Sequence, residues 1–398
     1  MTDRMTDIIE VFGHGGDVET AASRFGGDPA DFLDFSANIN PLGPPPEVLR
    51  ALEQGLNAVL RYPDPGHRAL KSALGSRLGV APDCISVGNG AAENMALLLL
   101  GLAPRRVGTV EPGFSEYAAL SRQFGAEVIS VRGRQELDWR AETEDIERLL
   151  EQVDMLFLGQ PNNPNGVQYP VAVLERLALK AGHTGAVLVV DEAFMDFIPA
   201  EKRHSLAARL HDFPQVIIIR SMTKFYAIPG LRLGYALGRP ELIEAMTAKQ
   251  VTWSVNGLAL IAGEACLRSG ESFERETLQQ IALERRRLSD ALLGYGCEVT
   301  PGEANFLLVR LPDPWTAATM QAELGGQGIL IRSCAMYPGL TERHVRIAVK
   351  DEPSNKRLIE ALGCIITAQT SKTEEPVGTD EQIEAVPDPV QKSGGGVQ

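Results

Sequence analysis

The side chain with the clearest chemical potential in this sequence is Lys224, which follows the β-branched run VIII at residues 216–219. Such a run predicts a strand buried on both faces of a parallel sheet. A lysine just beyond its carboxyl end would lie where open α/β sheets bind ligands. Desolvation there would lower the amine's pKa from about 10.4 and make it a nucleophile toward an aldehyde. Taken alone, the pattern fits a surface lysine better, so the interpretation depends on the neighbouring strand ends.

Two more apolar runs, residues 155–158 and 186–190, end in polar side chains. Asp191 follows the second run, and a carboxylate at that depth is costly unless it meets a positive charge. A protonated pyridine nitrogen is one such partner, and a helix cap or a structural ion pair is the alternative. Asn163 lies in QPNNPNG after the first run, where it either forms a turn or points its amide into the same crevice.

A possible phosphate site begins at residues 88–93, GNGAAE, which open the apolar helical pattern of residues 94–102. Small residues there let backbone N–H groups approach a phosphate, aided by the helix dipole, although glycine-rich helix starts are common. Arg232 could add a forked phosphate contact. Phe114 follows another predicted strand and could either stack on a planar ring or pack in the core.

These residues are predicted to lie at the strand ends of one large sheet. From residue 47 to about residue 309, helical patterns alternate with strand-like runs, which indicates a doubly wound, mostly parallel sheet covered by helices. The predicted strands are residues 84–87, 107–110, 155–158, 186–190, 216–219 and 234–237. A long charged helix over residues 273–293 would connect to a small α+β domain with strands at 305–310, 329–332 and 345–349 and a helix near 354–362.

Four segments follow from this pattern. Residues 1–45 form an N-terminal arm that contacts the substrate and packs with the small domain; it has a short helix, and the proline cluster makes residues 34–46 extended. Residues 46–272 form the large cofactor-binding domain. Residues 273–366 form the connecting helix and the small C-terminal domain. Residues 367–398 contain no aromatic residue and are rich in Glu, Pro, Ser and Gly, which predicts a disordered acidic tail.

Composition excludes several classes of function. The formal net charge of −14 argues against a partner with a phosphate backbone, so no nucleic acid is expected. The five cysteines are scattered without a C-x-x-C pair and the six histidines form no ligand-spaced pair, which predicts no metal site and suits a reducing cytoplasm. The N-terminus lacks the features of a secretory signal, and the richest apolar run, residues 95–102, is far shorter than the ~20 residues of a membrane span.

Three motifs together resemble one large enzyme family. They are DEA at residues 191–193, PNNPxG at 161–166, and SxTK at 221–224 with GLR at 230–232. In their order along the chain they resemble the fold-type I pyridoxal-phosphate enzymes, the aspartate aminotransferase superfamily, over residues 14–362. The resemblance implies a mostly parallel central sheet with helices on both faces and a small α+β domain. It also implies pyridoxal 5'-phosphate as the cofactor.

The resemblance assigns roles to individual residues. Lys224 would bind the cofactor covalently and move protons, and Asp191 would pair with the pyridinium nitrogen and keep the ring an electron sink. Asn163 would donate to the ring oxygen, Phe114 would stack on the ring, and a cis bond would precede Pro164. The cofactor phosphate would be bound by the amides of Ala91 and Ala92 and by Ser221, Thr223, Arg232 and, from a neighbouring subunit of a homodimer, Tyr62. Arg346 would bind the substrate α-carboxylate in a pocket that Asn305 lines.

A narrower resemblance points to phosphorylated amino acids. The most similar branch of the superfamily is that of the histidinol-phosphate aminotransferases. Within this branch the chain resembles the threonine-phosphate decarboxylases in four stretches: HGG at residues 14–16, DFSANINPLG at 34–43, TKFYAIPG at 223–230 and LIRSCAxYPG at 330–339. These convert L-threonine O-3-phosphate to (R)-1-amino-2-propanol phosphate and CO2 in cobalamin biosynthesis. His14, Asn38 and Arg332 would bind the substrate phosphate and turn the Cα–carboxylate bond perpendicular to the cofactor ring, the orientation in which that bond breaks.

Two alternatives remain open at this point. Phe194 stands where the aminotransferases usually have a tyrosine that donates to the ring oxygen; this agrees with a decarboxylase, but histidinol-phosphate aminotransferase with 2-oxoglutarate is the alternative. A pyridoxal-phosphate-sensing regulator would need an N-terminal DNA-binding segment and a basic patch, and the net charge of −14 disfavours it.

Overall fold

The computed structural model describes residues 13–373, and the side chains of residues 13–368. The strands are β1 (Leu33–Asp34), β2 (Ile85–Gly88), β3 (Arg106–Glu111), β4 (Glu127–Arg132), β5 (Met155–Gly159), β6 (Val187–Asp191), β7 (Val216–Ser221), β8 (Gly234–Leu237), β9 (Glu298–Val299), β10 (Phe306–Arg310), β11 (Ile329–Leu330), β12 (Arg332–Ser333) and β13 (His344–Ala348). The α-helices are α1 (Val18–Phe25), α2 (Pro46–Gly55), α3 (Arg68–Leu78), α4 (Ala91–Leu102), α5 (Ser115–Gln123), α6 (Thr143–Leu150), α7 (Val171–Thr184), α8 (Met222–Phe225), α9 (Pro240–Thr247), α10 (Gly257–Arg268), α11 (Gly270–Gly294), α12 (Ala317–Gly325) and α13 (Glu352–Thr373).

The large sheet has seven strands in the order β2-β8-β7-β6-β5-β3-β4. All neighbours from β7 to β4 are parallel, whereas β8 is antiparallel to both β2 and β7. The mostly parallel sheet predicted from the sequence is therefore confirmed. Strand β4 was not predicted, because it is an edge strand whose residues are half-buried or exposed and whose sequence, EVISVR, is interrupted by charges.

Helices cover both faces of this sheet. Successive side chains of a strand point to opposite faces, so a strand buried on both faces needs an unbroken apolar run. In β6, Leu188 and Val190 belong to one core cluster and Val187 and Val189 to another. In β7 the same alternation holds for residues 216–219. The buried β-branched run before Lys224 thus has the position that its composition predicted.

A second sheet, β12-β13-β10-β9, is antiparallel and packs with α11, α12 and α13 around a separate core cluster. The helix expected over 273–293 is α11. The prediction of one strand over residues 329–332 is wrong, because the segment forms two short strands. Ile329–Leu330 pairs in parallel with β1, whereas Arg332–Ser333 pairs with β13. The chain changes partners at Ile331, a fully buried residue, because β1 of the N-terminal arm occupies one side of this segment.

The C-terminal helix is longer than expected. It runs from Glu352 to Thr373, so the prediction of disorder is wrong for residues 367–373. Ile365 and Ile366 are buried in the second core cluster, and no Gly or Pro follows until residue 376, so the backbone continues its helix past the last buried turn. The rest of the predicted tail, residues 374–398, and residues 1–12 of the predicted arm lie outside the described residues. Within 13–373, no helix combines the length and apolar character needed to cross a membrane.

Candidate active site

A cavity of about 380 Å³ lies at the carboxyl ends of β5, β6 and β7 and is closed on the other side by β12, β13 and the N-terminal arm. The structure brings thirteen of the fifteen predicted site residues to its wall: His14, Asn38, Ala91, Ala92, Phe114, Asn163, Asp191, Ser221, Thr223, Lys224, Arg232, Arg332 and Arg346. The carboxyl ends of parallel strands share one edge of a sheet, which explains why residues so far apart in sequence meet here.

Lys224 lies in α8, the single helical turn that follows β7. Burial lowers the pKa of its amine to about 8, and the nearby charges of Arg232 and Arg346 act in the same direction, whereas Asp191 opposes them. A larger fraction of the amine is therefore unprotonated at neutral pH than for an ordinary lysine, as a nucleophile requires.

Asp191 ends β6 and is buried, with two donors for its carboxylate. Oδ2 accepts a hydrogen bond from the Tyr117 hydroxyl at 2.7 Å, and Oδ1 accepts one from the Ala193 backbone N–H at 3.0 Å. Burial raises the pKa of Asp191, and the hydrogen bond from Tyr117 counteracts that rise. Tyr117 also stacks on Phe157 at 5.1 Å between ring centroids and meets Phe114 edge-on at 5.6 Å. The acid is thus held in one orientation beside the cavity.

The helix start before α4 forms an anion cradle. Gly90 has φ 90°, and a Cβ there would lie 2.7 Å from Nη2 of Arg232. A Cβ on Gly234 would lie 2.7 Å from the backbone nitrogen of Ala91, so glycine keeps this corner open. The N-cap residue of α4, Gly90, has no side chain to accept from the first turn, so within the described part of the chain the N–H groups there are available to an anion. The hydroxyls of Ser221 and Thr223 hydrogen-bond each other at 2.7 Å and line the same cavity.

These residues fit pyridoxal phosphate. A helix start with an arginine suits its phosphate, a buried carboxylate suits its protonated ring nitrogen, and a lysine of lowered pKa suits its aldehyde. Asn163 also lines the cavity, and the Asn163–Pro164 peptide bond is cis, as the resemblance implied.

The opposite wall carries two arginines. Arg346 donates from Nη1 to Oδ1 of Asn163 and from Nη2 to the carbonyl of Ser36, both at 2.7 Å, while its buried Nε has no hydrogen-bond partner among the described residues. Arg332 donates from Nη2 to the carbonyl of Gly13 at 2.5 Å. Its guanidinium therefore ties the N-terminal arm to the small sheet, beside the place where a substrate would bind.

Two predicted residues do not line the cavity. Asn305 lies behind its wall, because its Nδ2 donates to the backbone carbonyl of Asn38 at 3.1 Å, so it supports Asn38. Tyr62 is exposed and stacks on Trp253 at 4.2 Å, away from the cavity. Its expected contact with a neighbouring subunit stays a prediction.

Among the lining residues outside the predicted set, three carry titratable side chains: Glu116, Tyr117 and Tyr337. Tyr117 lies three residues after Phe114, a spacing that places both on one side of a helix start. That spacing is the signal which could have identified it. Glu116 approaches His14, with 2.8 Å between Oε1 and Nε2. The separation of 102 residues between these two is the reason that the sequence alone did not reveal the pair.

Residues 30–362 match the model of the family "Aminotransferase class I and II", and the chain belongs to that family. The threonine-phosphate decarboxylase of Salmonella typhimurium is 40% identical over 360 residues, which cover 89% of this chain and 96% of that protein. A histidinol-phosphate aminotransferase of Nitratidesulfovibrio vulgaris is 34% identical over 86% of this chain and 91% of that protein.

Solved structures show the same fold. The histidinol-phosphate aminotransferase from Clostridium acetobutylicum superposes with a TM-score of 0.78 at 30% identity, over 84% of this chain and 99% of that chain. The L-threonine-O-3-phosphate decarboxylase from Porphyromonas gingivalis gives a TM-score of 0.72 at 25% identity, over 84% and 99% of the two chains. The histidinol-phosphate aminotransferase from Sinorhizobium meliloti, solved in complex with pyridoxal-5'-phosphate, gives 0.78 at 25% identity over 88% and 95%.

Proposed function

We propose that this chain is a pyridoxal-phosphate-dependent decarboxylase that converts L-threonine O-3-phosphate to (R)-1-amino-2-propanol phosphate and CO2, a step of cobalamin biosynthesis. The observation that carries the proposal is the pair of arginines, Arg332 and Arg346, that faces Lys224 across the cavity. Threonine phosphate carries a carboxylate and a phosphate on neighbouring carbon atoms, so one compact substrate offers an anion to each guanidinium. The 40% identity to the Salmonella typhimurium decarboxylase over nearly the whole chain supports the same choice.

The cofactor would be held by the sheet side of the cavity. Its phosphate would bind the amides of Ala91 and Ala92 with Ser221, Thr223 and Arg232, and its ring would lie between Phe114, Asn163 and Asp191, within reach of Lys224. When bound, pyridoxal phosphate supplies an electron sink for the pair of electrons that remains on Cα as CO2 leaves.

The protein's own groups would do the rest. Asp191, kept in place by Tyr117, holds a negative charge beside the ring nitrogen. The amine of Lys224, with a pKa of about 8, returns a proton to Cα after CO2 departs; a donor titrating near the working pH is well matched to this task. Arg346 binds the carboxylate until it leaves.

Binding of the phosphate would decide which bond breaks. Arg332, His14 and Asn38 come from the small sheet and the arm, on the side of the cavity opposite the cofactor cradle. With the phosphate fixed there and the amine directed to the cofactor, rotation about the bond between Cα and its nitrogen is restricted. The carboxylate is then left to face Arg346. This is positioning, in which binding energy restricts the geometry of the reacting groups.

Transamination of histidinol phosphate is the second candidate, favoured by the 34% identity to the Nitratidesulfovibrio vulgaris aminotransferase. Histidinol phosphate lacks a carboxylate, so Arg346 would then serve only the amino-acid partner. Phe194, which lines the cavity and cannot donate a hydrogen bond, stands against this candidate.

The test is release of CO2 from L-threonine O-3-phosphate by the purified holoenzyme without any oxo acid, with Lys224→Ala as the inactive control. We expect one CO2 for each 1-amino-2-propanol phosphate formed. A requirement for 2-oxoglutarate, with glutamate as a product, would instead support the aminotransferase.

We also propose that the chain acts as a homodimer in the cytoplasm. Leu56, Val59, Leu60, Tyr62, Val251 and Trp253 are exposed apolar side chains, and Tyr62 stacks on Trp253. Exposed apolar side chains of this kind are typical of subunit contacts, and Tyr62 would reach the cofactor phosphate of the neighbouring subunit. The five cysteines are free, which suits a reducing compartment. Sedimentation velocity of the holoenzyme, with Val59→Glu as the disrupting variant, tests the dimer.

The expected division of the chain is also retained as a proposal. Residues 46–272 would form the cofactor-binding domain and residues 273–366 the small domain. The arm would pack with the small domain, and pairing of β1 with β11 supports this.

A further inference from the structure

A carboxylate lies in the anion-binding half of the cavity without a role in the reaction proposed above. Among the residues that line the cavity, the acids are Asp191 and Glu116. Asp191 faces the cofactor side. Glu116 lies in the first turn of α5, two residues after Phe114, with its side chain 24% exposed. A negative charge near a bound phosphate repels it, so its presence here calls for a physical reason.

The contact partner of Glu116 is His14. Oε1 lies 2.8 Å from Nε2, and the imidazole ring also lies 5.9 Å from the ring of Phe114, tilted by 41°. The hydrogen bond from His14 lowers the pKa of Glu116 against the opposing effect of burial. The carboxylate is therefore ionised at neutral pH, and Nε2–H of His14 donates to it. This contact joins the N-terminal arm to α5 at the wall of the cavity.

Nε2 of His14 is thus engaged, and no residue of the described range 13–368 hydrogen-bonds the other ring nitrogen. With Nε2–H on Glu116, the nitrogen that remains is Nδ1, which donates in the imidazolium form and accepts in the neutral ring. The ring plane is fixed by Glu116 of α5 and by Phe114 just before it. A carboxylate that orients a histidine in this way sets which nitrogen faces the reacting partner.

We propose that Glu116 is a specificity-determining positioning residue that holds His14 at the cavity mouth as an imidazolium, so that its Nδ1–H donates to the phosphate of the substrate. The inference rests on the proposed function for the identity of that substrate. It also explains the acid in an anion site: paired with His14, the carboxylate orients a donor, and without His14 it would only repel the phosphate.

The pairing predicts an unusual pattern among variants. Glu116→Gln should raise KM for L-threonine O-3-phosphate about tenfold, because the donor loses its charged anchor, and should leave kcat within about twofold. His14→Ala should raise KM further, because an unpaired carboxylate then faces the phosphate. Adding Glu116→Gln to His14→Ala should therefore recover part of the loss. A role in folding alone would make the double variant no better than His14→Ala.

A binding measurement separates the phosphate from the carboxylate. Inhibition constants are determined with O-phosphoethanolamine, which carries an amine and a phosphate, and with L-threonine, which carries an amine and a carboxylate. Glu116→Gln should weaken the first inhibitor about tenfold and leave the second within about twofold. Glu127→Gln is the matched control, since it removes the same charge from an exposed position of β4. Cofactor absorbance of each holoenzyme shows that the site is intact.

Each outcome decides the inference. It is overturned if Glu116→Gln leaves KM and both inhibition constants within twofold of the wild type, if it lowers kcat with KM unchanged, or if the double variant is as poor as His14→Ala or poorer. Failure of the proposed function gives a different result, because the wild type then releases no CO2 from threonine phosphate. In that case the same variants are compared with histidinol phosphate, whose phosphate would bind the same side of the cavity.

Discussion

Arg332 and Arg346 lie directly opposite each other on the antiparallel strands β12 and β13. Cα atoms of residues paired in this way are about 4.5–5.5 Å apart, and like charges directly opposite each other destabilise a sheet. Burial lowers the pKa of Arg346, and the charge of Arg332 lowers it further. The repulsion between two close cations is relieved when anions lie beside them, so the pair favours a substrate with two negative groups.

Replacing Arg332 by alanine tests this relationship. Losing one partner of a charge-assisted contact costs about 2–5 kcal/mol, so kcat/KM for threonine phosphate should fall by about one and a half to three and a half orders of magnitude. With its phosphate no longer fixed, the substrate can rotate and bring Cα–H into the reactive position. Slow formation of glutamate from 2-oxoglutarate should then appear. CO2 and glutamate are measured per turnover in wild type and variant.

Arg310→Ala is the control for that experiment, since Arg310 is also on the small sheet but does not line the cavity. It should leave both products unchanged. Equal losses from Arg310→Ala and Arg332→Ala would mean that the small sheet, and not the phosphate contact, is responsible.

The assignment of Lys224 predicts the site of covalent attachment of the cofactor. Borohydride reduction of the holoenzyme should fix pyridoxal phosphate onto Lys224, as peptide mapping would show. Lys224→Ala should still bind the cofactor through its phosphate contacts and lose catalysis by orders of magnitude, since it removes the nucleophile and the proton donor together. Recovery of the label on another lysine would contradict the assignment.

The lowered pKa of Lys224 also predicts how the apoprotein's stability depends on pH. The native amine titrates at about 8 and the unfolded amine at about 10.5, so protonation of the buried amine opposes folding. The resulting loss of unfolding free energy is fully present below pH 8 and disappears as the pH rises toward 10.5. At its largest this loss is about 3 kcal/mol. Lys224→Met should therefore stabilise the apoprotein at pH 7 and lose this advantage by pH 10. Urea unfolding of both proteins at the two pH values is the measurement.

How much of the site the sequence predicts depends on where each residue lies. Lys224, Asp191 and Asn163 follow strands that are unbroken apolar runs, and every parallel strand delivers its carboxyl end to the same edge. The local sequence pattern therefore suffices to locate these three residues at the site. Glu116 and Tyr117 come from the start of α5, and only the packing of the arm and of β6 against that helix decides what they contact.

The N-terminal and small-sheet residues show the same limit. Asn305 precedes β10 and was expected in the pocket, but the register of the arm turns its amide toward the carbonyl of Asn38. The change of partner at Ile331 depends on β1, which is nearly three hundred residues away in sequence. Contacts of this range leave no periodic signal in either segment.

Tyr117 provides a test of how Asp191 is maintained. Tyr117→Phe removes the donor at 2.7 Å from Oδ2 and keeps the ring that stacks on Phe157. The pKa of Asp191, already raised by burial, should rise further, so less of the carboxylate is ionised to pair with the ring nitrogen. A hydrogen bond to a charged group is worth about 1.5–3 kcal/mol, so cofactor affinity should fall by about tenfold or more. Equilibrium dialysis of pyridoxal phosphate measures this, with Tyr337→Phe as the control. Unchanged affinity in Tyr117→Phe would refute this role.

A buried ion pair behind the site predicts a large effect on stability. Arg220, next to Ser221, donates from Nη2 and Nε to Oε2 of Glu192 at 2.6 and 2.9 Å, and both side chains are buried. Arg220→Met leaves Glu192 buried without its main partner, which costs about 3–5 kcal/mol. Arg220→Met combined with Glu192→Leu should recover most of that loss, because no charge is then left unpaired. Urea unfolding followed by circular dichroism gives the comparison.

The pH dependence of the Arg220→Met variant follows from the same pair. Burial raises the pKa of Glu192 and Arg220 opposes the rise, so removing Arg220 raises it further. The native carboxyl then binds a proton at a higher pH than the unfolded one, and stability falls as pH rises through that interval. The loss of unfolding free energy in Arg220→Met should therefore be smaller at pH 5 than at pH 8.

Arg209→Met is the control for both experiments on this ion pair. It breaks exposed ion pairs and should lower the free energy of unfolding by less than about 1 kcal/mol at both pH values. A double variant no more stable than Arg220→Met would show that lost packing, and not the unpaired carboxylate, causes the effect.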